Sequence, residues 1–451
     1  MRPHGVPEMM RVPLVAAVAL AVIGATLASR PEATATGPAR AAKTLPPVLG
    51  ISYRSDRGTL AWFDPLALRM LPGRKAPLGD HLGSWTFSAD RSVLAICSGD
   101  GSTASIPGIR LVSARSMRVL GDVRISRYGG CESLTWLGRD RLLAVGRIGD
   151  RSELVVVDPL TRRIVRREPL ANGPAALGRT RDELVFLLST SADIAPARVA
   201  VADPDGRVRI ANVDRVLAGT IVDQESSDHR ARTIWPGLAV DPDGRKAFLV
   251  PASGPIAEID LATLAVSYHE IDRPSLLRRF LTWLTPSAQA KVLEGPVREA
   301  RWLGDGIIAV SGTDYSVASD ARGGRLYVGT PVGLSLVDTG SWTSRELNRD
   351  ASGFAVGEGL VIAQGGRWDS GAERGYGPGL QAFDLDGRER WKLHSGEYRW
   401  MDTAGPVGYA YVAEGRAEIV DLATGFVLGV IEGDDQRDPW PQLLAAQASG
   451  W

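Results

Sequence analysis

Eight times along this chain a short apolar run climbs to a turn residue, and a second strand-like run follows it. The copies are LAWFDPLALRML (Leu60–Leu71), IRLVSARSMRVL (Ile109–Leu120), LVVVDPLTRRIV (Leu154–Val165), VAVADPDGRVRI (Val199–Ile210), IAEIDLATLAVS (Ile256–Ser267), LSLVDTGSWTSREL (Leu334–Leu347), LQAFDLDGRERW (Leu380–Trp391) and AEIVDLATGFVL (Ala417–Leu428). A fixed repeat of this length means identical units stacked against one another, so the pattern constrains architecture before any single residue does. Between the copies lie other hairpins, such as TFSADRSVLAIC (Thr86–Cys97), LAVDPDGRKAFLV (Leu238–Val250) and FAVGEGLVIAQG (Phe354–Gly365). Their Asp-Gly and Gly-Asp pairs are turn chemistry, because such turns need positive φ. Apolar runs such as LLAV and LVFLL suit second strands buried on both faces.

Two hairpins per unit make four strands, and four-stranded units repeated in series make a β-propeller. The turn positions of the copies fall at Asp64, Ser113, Asp158, Asp203, Asp260, Asp338, Asp384 and Asp421, mostly 37 to 57 residues apart. That matches the roughly 40–50 residues of a blade. The expected fold is therefore all-β, a propeller of eight blades over residues 48–446. Seven is the alternative, with the least regular copy, Val199–Ile210, absorbed. The first unit lacks its first strand, and PQLLAA (Pro441–Ala446) is placed to supply it and close the ring. The interval from Asp260 to Asp338 is 78 residues and carries an insertion over 272–296. Within it, Leu276, Leu277, Phe280, Leu281 and Leu284 have helical spacing after Pro274, which predicts a helix over 274–285. That helix lies over its own blade or docks a partner or a membrane surface, with Trp283 at the interface.

The first 28 residues read as a targeting segment. Arg2 and Arg11 flank an uncharged apolar run of 17 residues, Val12 to Ala28, followed by small residues. The run is a signal peptide cut after 26–28 or 33–35, or an uncleaved anchor, since it sits at the lower edge of spanning length. No cysteine near its end marks a lipoprotein. Residues 29–47, rich in Ala, Thr and Pro, read as a disordered tether, and 447–451 as a C-terminal tail. The expected location is outside the cytoplasmic membrane, free or tethered through 12–28. The two cysteines fit: Cys97 ends a second strand, Cys131 begins the first strand of the next blade, and these ends share one face of a propeller. A Cys97–Cys131 disulfide is expected.

The copies WPGLAVDPDGRKAFLV and IAEIDLATLAVSYHEI (Trp235–Val250, Ile256–Ile271) and AEIVDLATGFVLGV (Ala417–Val430) resemble the YVTN-type and quinoprotein-like, WD-repeat-like propeller repeats of secreted bacterial proteins. LQAFDLDGRERWKL (Leu380–Leu393) resembles the repeat of quinone-dependent enzymes, in which a hairpin Asp precedes Gly and then Trp. The resemblance spans about 400 residues and implies the fold. It departs from the enzymes in one respect that matters: Trp391 alone occupies the tryptophan position. No acidic and Asn constellation for their metal is present, so no cofactor is expected.

Lys and Arg together number 52, as do Asp and Glu, so there is no basic footprint for nucleic acid. The Arg162, Arg163, Arg166 and Arg167 cluster reads as a solvated hairpin. None of the five histidines stands in a metal-ligand spacing, and DPDGR at 203–207 and 241–245 lacks the late Glu of a calcium loop. No nucleophile elbow or phosphate loop is present. Three segments exceed what a blade needs: Ser311–Gly324 with Asp314, Tyr315 and Asp320, Gly365–Gly379 with Arg367, Trp368, Asp369, Glu373, Arg374 and Tyr376, and the approach to the last blade with Tyr398, Arg399 and Trp400. They come from consecutive blades, so they should neighbour one another on one rim. Aromatics beside Arg and carboxylates suit a recognition surface for a protein or a cell-envelope polymer. The alternative is an envelope lyase or hydrolase using Asp314, Asp369 or the tyrosines at the channel mouth.

Overall fold

A computed structural model describes residues 45–54, 57–80, 82–98, 108–125, 131–138, 140–148, 151–170, 173–189, 193–223, 230–271, 293–319, 325–369, 375–412, 416–432 and 442–444. The targeting segment, most of the tether, the helix expected over 274–285 and the tail lie outside these residues. Positions 293–296, expected to end the insertion, instead begin a strand.

Eight four-stranded antiparallel blades form a propeller ring, so the seven-blade alternative falls. Blade one holds β1 (Val48–Arg54), β2 (Arg57–Phe63) and β3 (Ala76–Asp80). Blade two is β4 (Leu82–Phe87), β5 (Val93–Ser98), β6 (Gly108–Ser113) and β7 (Arg118–Arg124); blade three is β8 (Cys131–Leu137), β9 (Arg141–Ile148), β10 (Arg151–Asp158) and β11 (Arg163–Leu170). Blade four is β12 (Gly173–Arg179), β13 (Leu184–Ser189), β14 (Ile194–Ala202) and β15 (Val208–Asp223), followed by β16 (Arg230–Ile234). Blade five is β17 (Gly237–Val240), β18 (Lys246–Val250), β19 (Ile256–Asp260) and β20 (Val266–His269). Blade six uses β21 (Leu293–Gly304), β22 (Ile307–Ser319), β24 (Leu334–Asp338) and β25 (Thr343–Asn348), with β23 (Arg325–Pro331) outside the blade. Blade seven uses β26 (Gly353–Gly357), β27 (Leu360–Gln364), β29 (Leu380–Phe383) and β30 (Glu389–Leu393), with β28 (Trp368–Asp369) set apart. Blade eight is β31 (Trp400–Ala404), β32 (Val407–Val412), β33 (Arg416–Asp421) and β34 (Val427–Glu432).

The last strand, β35 (Gln442–Leu443), pairs antiparallel with β1 as the innermost strand of blade one. Leu444 donates its N–H to the Leu49 carbonyl at 2.9 Å and buries its side chain fully among Ile51, Leu60 and Leu94. The C-terminal strand thus completes the blade that the N-terminal strands begin.

Among the described residues the apolar cores lie between neighbouring blades. Ala95 and Leu111 of blade two meet Leu142 and Val155 of blade three; Val199 of blade four meets Leu249 of blade five. Trp391 of blade seven sets its indole N–H on the Leu422 carbonyl of blade eight at 2.7 Å, with its ring against Gly425. Cys97 and Cys131 are joined across the seam of blades two and three, Cα atoms 5.4 Å apart.

Each outer hairpin turns where the sequence placed it. One side-chain oxygen accepts backbone N–H groups ahead of it: Asp64 from Leu66 and Ala67, Asp158 from Leu160 and Thr161, Asp260 from Ala262 and Thr263, Asp338 from Gly340 and Ser341. These Asx turns satisfy donors the ladder leaves over. The fourth residue on from the turn acid sits left-handed without being glycine at Leu68, Arg162, Leu264 and Trp342, a cost the surrounding hairpin sustains.

The same N–H groups hold Asp158, Asp260 and Asp338 below the ordinary carboxylate pKa of 3.8, and the Ser88 and Ser92 hydroxyls, with the Ser92 N–H, hold Asp90 down to about 2. A depressed folded-state value stabilises above the unfolded value and is lost as pH falls through the folded one. Thermal unfolding should therefore be level with respect to these groups above pH 3.8 and weaken below it. A variant carrying Asp158→Ala, Asp260→Ala and Asp338→Ala should be less stable at neutral pH and lose a visible share of that acid limb. Separately, Leu444→Ala should cost about 2–5 kcal/mol in denaturant unfolding, an unusually large effect for a residue so near a chain end.

Candidate functional site

In a blade, the loops between second and third strands and those between blades share one face. On that face a second layer of sheet stands on the ring. β15 runs past blade four and pairs β16; β16 lies parallel to the start of β21; β22 runs past blade six and pairs β23; β23 pairs β28. Blades four and six are thereby joined in one eleven-stranded sheet that also takes in β28 from the blade-seven loop.

This layer sets the register of the expected site residues. Tyr315 pairs with Gly329, and Gly329 pairs with Trp368. Directly paired residues share a sheet face, so the two aromatic rings flank a position without a side chain. A methyl group at Gly329 would lie 3.6 Å from the Tyr315 ring. Trp368 is 41% exposed. Arg367 and Tyr376 exchange two backbone hydrogen bonds, 2.7 and 3.1 Å, and Tyr376 is left 77% exposed. Gly365 donates to the Arg399 carbonyl at 2.7 Å, which ties this loop to the approach to blade eight. There Tyr398 and Trp400 meet edge to face, centroids 6.0 Å apart. Burial raises the Tyr398 phenol above its ordinary pKa, and Tyr315 lies close enough to add to the rise. Tyr315, Arg367, Trp368, Tyr376, Tyr398 and Trp400 thus collect on one rim. Asp369 pairs with Val328 in the same ladder.

Trp400 does more than face outward. Its ring lies against Gly353 and Gly365, so close that a methyl group at Gly353 would be 2.7 Å away. Asp314 alternates to the other face of β22, where its Oδ1 accepts from the Arg298 guanidinium at 2.8 Å. Arg298 is nearly buried and also donates to its neighbouring carbonyls. Asp314 is therefore a strap holding β22 to β21 rather than part of the aromatic face. Asp320, Glu373 and Arg374 lie outside the described residues.

Sequence reasoning missed the supports beneath the rim. His394, at the end of blade seven, bonds through Nε2 to buried Glu418 on β33, and Arg416 reaches the other Glu418 oxygen at 3.5 Å. The His394 bond, with Arg399 and Arg416 nearby, holds the Glu418 carboxyl below its ordinary range. Arg399, one of the residues the sequence did single out, is buried and pairs with Glu397. Glu418 carried one signal, an acid inside the apolar run of strand AEIVD, but its closest partner, His394, comes from another blade. Among the described residues no group of three or more His, Cys, Asp or Glu side chains is arranged to hold a metal ion. His269 stacks on Trp342 with centroids 3.7 Å apart, beside Glu258.

No protein-family model matches the chain, and no curated protein matches its sequence. Solved structures do match its fold. The dihydro-heme d1 dehydrogenase NirN in complex with DHE aligns at a TM-score of 0.52 and 14% identity, over 92% of this chain and 77% of that one. AztD from Citrobacter koseri aligns at 0.46 and 11% identity, over 88% and 96%. BamB from Moraxella catarrhalis aligns at 0.41 and 14% identity, over 78% and 87%. At 14% identity the likeness to NirN is one of fold and not of site.

Gly377 crosses Gly365 so closely that any Cβ there would overlap the Gly365 carbonyl oxygen. Gly377→Ala should thus displace the 365–379 loop and the rings it positions. Near-ultraviolet circular dichroism should change clearly, while the main unfolding transition, set by the inter-blade cores, moves little.

Proposed function

We propose that this chain is a binding module that engages a protein or cell-envelope polymer through the aromatic rim on its inter-blade face. One observation carries the reading: Tyr315 and Trp368 are fixed by strand register on either side of Gly329, with Tyr376, Tyr398 and Trp400 on the adjoining segments. Aromatic rings on rigid backbone supply large contact area at little entropy cost, and they dominate the energetics of recognition surfaces. Exposed Arg367 adds directional hydrogen-bond donors beside them.

Export supports the same reading. The disulfide suits an oxidising compartment, and the apolar run from Val12 to Ala28 has the composition of a signal or anchor. No helix among the described residues is long and apolar enough to cross a membrane. A lyase or hydrolase at the same place would need its carboxylates available, and Asp314 is engaged by Arg298.

The test is quantitative capture from native envelope, with the mature domain immobilised beside a Trp368→Ala, Tyr376→Ala variant. Both side chains are exposed, so the variant should keep the parent's unfolding temperature. Affinity for the captured partner should fall at least about tenfold, the scale of a lost hot spot. Equal binding by both proteins would remove the rim from the reading.

A further inference from the structure

Turns alternate between the two ends of a blade, so the hairpins joining third and fourth strands all lie on the face away from the rim. Around that face they are of two kinds. In blades eight, one and three the turn carries a large apolar side chain left in water: Phe426 at 62% exposure, Leu66 at 45% and Leu160 at 82%. In blade two, between one and three, Val119 and Leu120 just past the turn are exposed as well. In blades four to seven the equivalent turns, residues 203–208, 260–266, 338–343 and 384–389, expose no large apolar side chain.

Charge divides the same way. The blade-one turn carries Arg69, Arg74 and Lys75, and the blade-two turn Arg115 and Arg118. The blade-three turn carries Arg162 and Arg163. All of these are exposed, and among the described residues none of them is in an ion pair. Arg162 donates to the Leu120 carbonyl at 3.0 Å, which links the turns of blades two and three. Arg110, Arg166 and Arg167, elsewhere on the same blades, are paired with Asp122, Glu168 and Glu153 and take no part. The acids of these turns are occupied: Asp64, Asp158 and Asp421 each accept backbone N–H groups of their own hairpin. In blades four and seven the outer turns are acidic instead, DPDGR and DLDGR, and in five and six they hold a single Asp with no Lys or Arg.

Single apolar side chains are ordinary on a folded surface. Here they recur at one structural position, on one half of one face, with cations between them. An apolar side chain beside Lys and Arg suits the boundary of a bilayer, where the apolar group enters the acyl layer and the cation meets phosphate. Leu66, Leu160 and Phe426 stand on separate turns rather than in one patch. A fluid surface closes round each tip, whereas a rigid protein partner must match all three at once.

We propose that blades eight, one, two and three dock on an anionic phospholipid surface. Leu160, Leu66 and Phe426 enter the interface, and the cations of the turns lie against the phosphates. The acidic turns of blades four and seven are repelled, so the ring meets the surface by one half. The rim lies on the other face, and docking does not depend on what binds there.

Pro46–Trp451 forms one compact unit holding every blade and the closing strand, so this unit is tested free of the apolar run at 12–28. It is sedimented with vesicles of phosphatidylcholine alone and of phosphatidylcholine with a quarter phosphatidylglycerol. Binding should be at least about tenfold tighter on the anionic vesicles, and should fall as salt rises from about 0.1 M to about 0.5 M. Leu160→Ser, Phe426→Ser should weaken it roughly tenfold or more, the scale of apolar side chains withdrawn from the interface. Arg115→Gln, Arg163→Gln should weaken it about fivefold per charge. All four side chains are exposed, so both variants should keep the parent's unfolding temperature. Trp368→Ala, Tyr376→Ala should bind vesicles as the parent does. Binding to neither vesicle, or equally to both, would overturn the proposal. Full binding by the Leu160→Ser, Phe426→Ser variant would mark general charge attraction and overturn it too, and loss of binding in the Trp368→Ala, Tyr376→Ala variant would move the membrane to the rim.

Discussion

Everything in this molecule depends on closing the ring. A four-stranded blade is apolar on both faces, and each face is covered only by the next blade. Tyr409 shows what the final seam must do: fully buried in blade eight, it donates its hydroxyl to the Pro65 carbonyl of blade one at 3.0 Å. Burial, and Asp64 nearby, push that phenol well above its ordinary pKa, so it stays a neutral donor. Without β35 the innermost edge of blade one would present bare N–H and C=O groups to the channel. Two paired residues and one leucine thus convert a row of sheets into a closed body.

Much of that body was legible because turns impose local chemistry. The oxygen of Asp64, Asp158, Asp260, Asp338 or Asp421 must sit at the hairpin to receive N–H groups, so the residue survives as a mark in the sequence. Ring closure by residues near 442 could be read from the missing first strand alone. The bridge between Cys97 and Cys131 followed from which strand ends share a face. The accessory layer was not legible. The far half of β15 carries apolar residues on both faces, with Leu217 and Ile221 exposed opposite buried Val216 and Ala218, so no polar alternation marks it as a half-buried strand. Residues 293–296 read as part of the insertion because LEGP shows no period.

At the rim, sequence order placed three segments of consecutive blades together; Tyr315 and Trp368 share a ladder through Gly329, and Gly365 bonds to the Arg399 carbonyl. What it could not supply was the layer between them. β23 brings Tyr315 and Trp368 into one ladder, and its contribution at the crossing is a glycine, which marks nothing by itself. Nor could it tell apart two acids of equal appearance. Asp314 and Tyr315 are adjacent, yet strand alternation sends one to Arg298 and the other to the open face. Hydrogen bonds across seams, such as that of His394 with Glu418, depend on blade-to-blade geometry that no local pattern encodes.

Exposure alone does not single out the rim. Val427, Leu428 and Val430 on β34 are exposed to a similar degree as Trp368 and Trp400. The difference is in kind. The β34 residues are aliphatic side chains on an outermost strand, the ordinary apolar remainder of a folded surface. The rim residues are aromatic, carry hydroxyl or indole donors, and stand on backbone fixed from several directions at once. Trp400 is held by Gly353 and Gly365 yet remains 39% exposed. A ring clamped on one side and open on the other has already lost its rotamer freedom on folding, so a partner that covers it gains contact without ordering the side chain again. That prepayment is what a recognition surface requires and what β34 lacks.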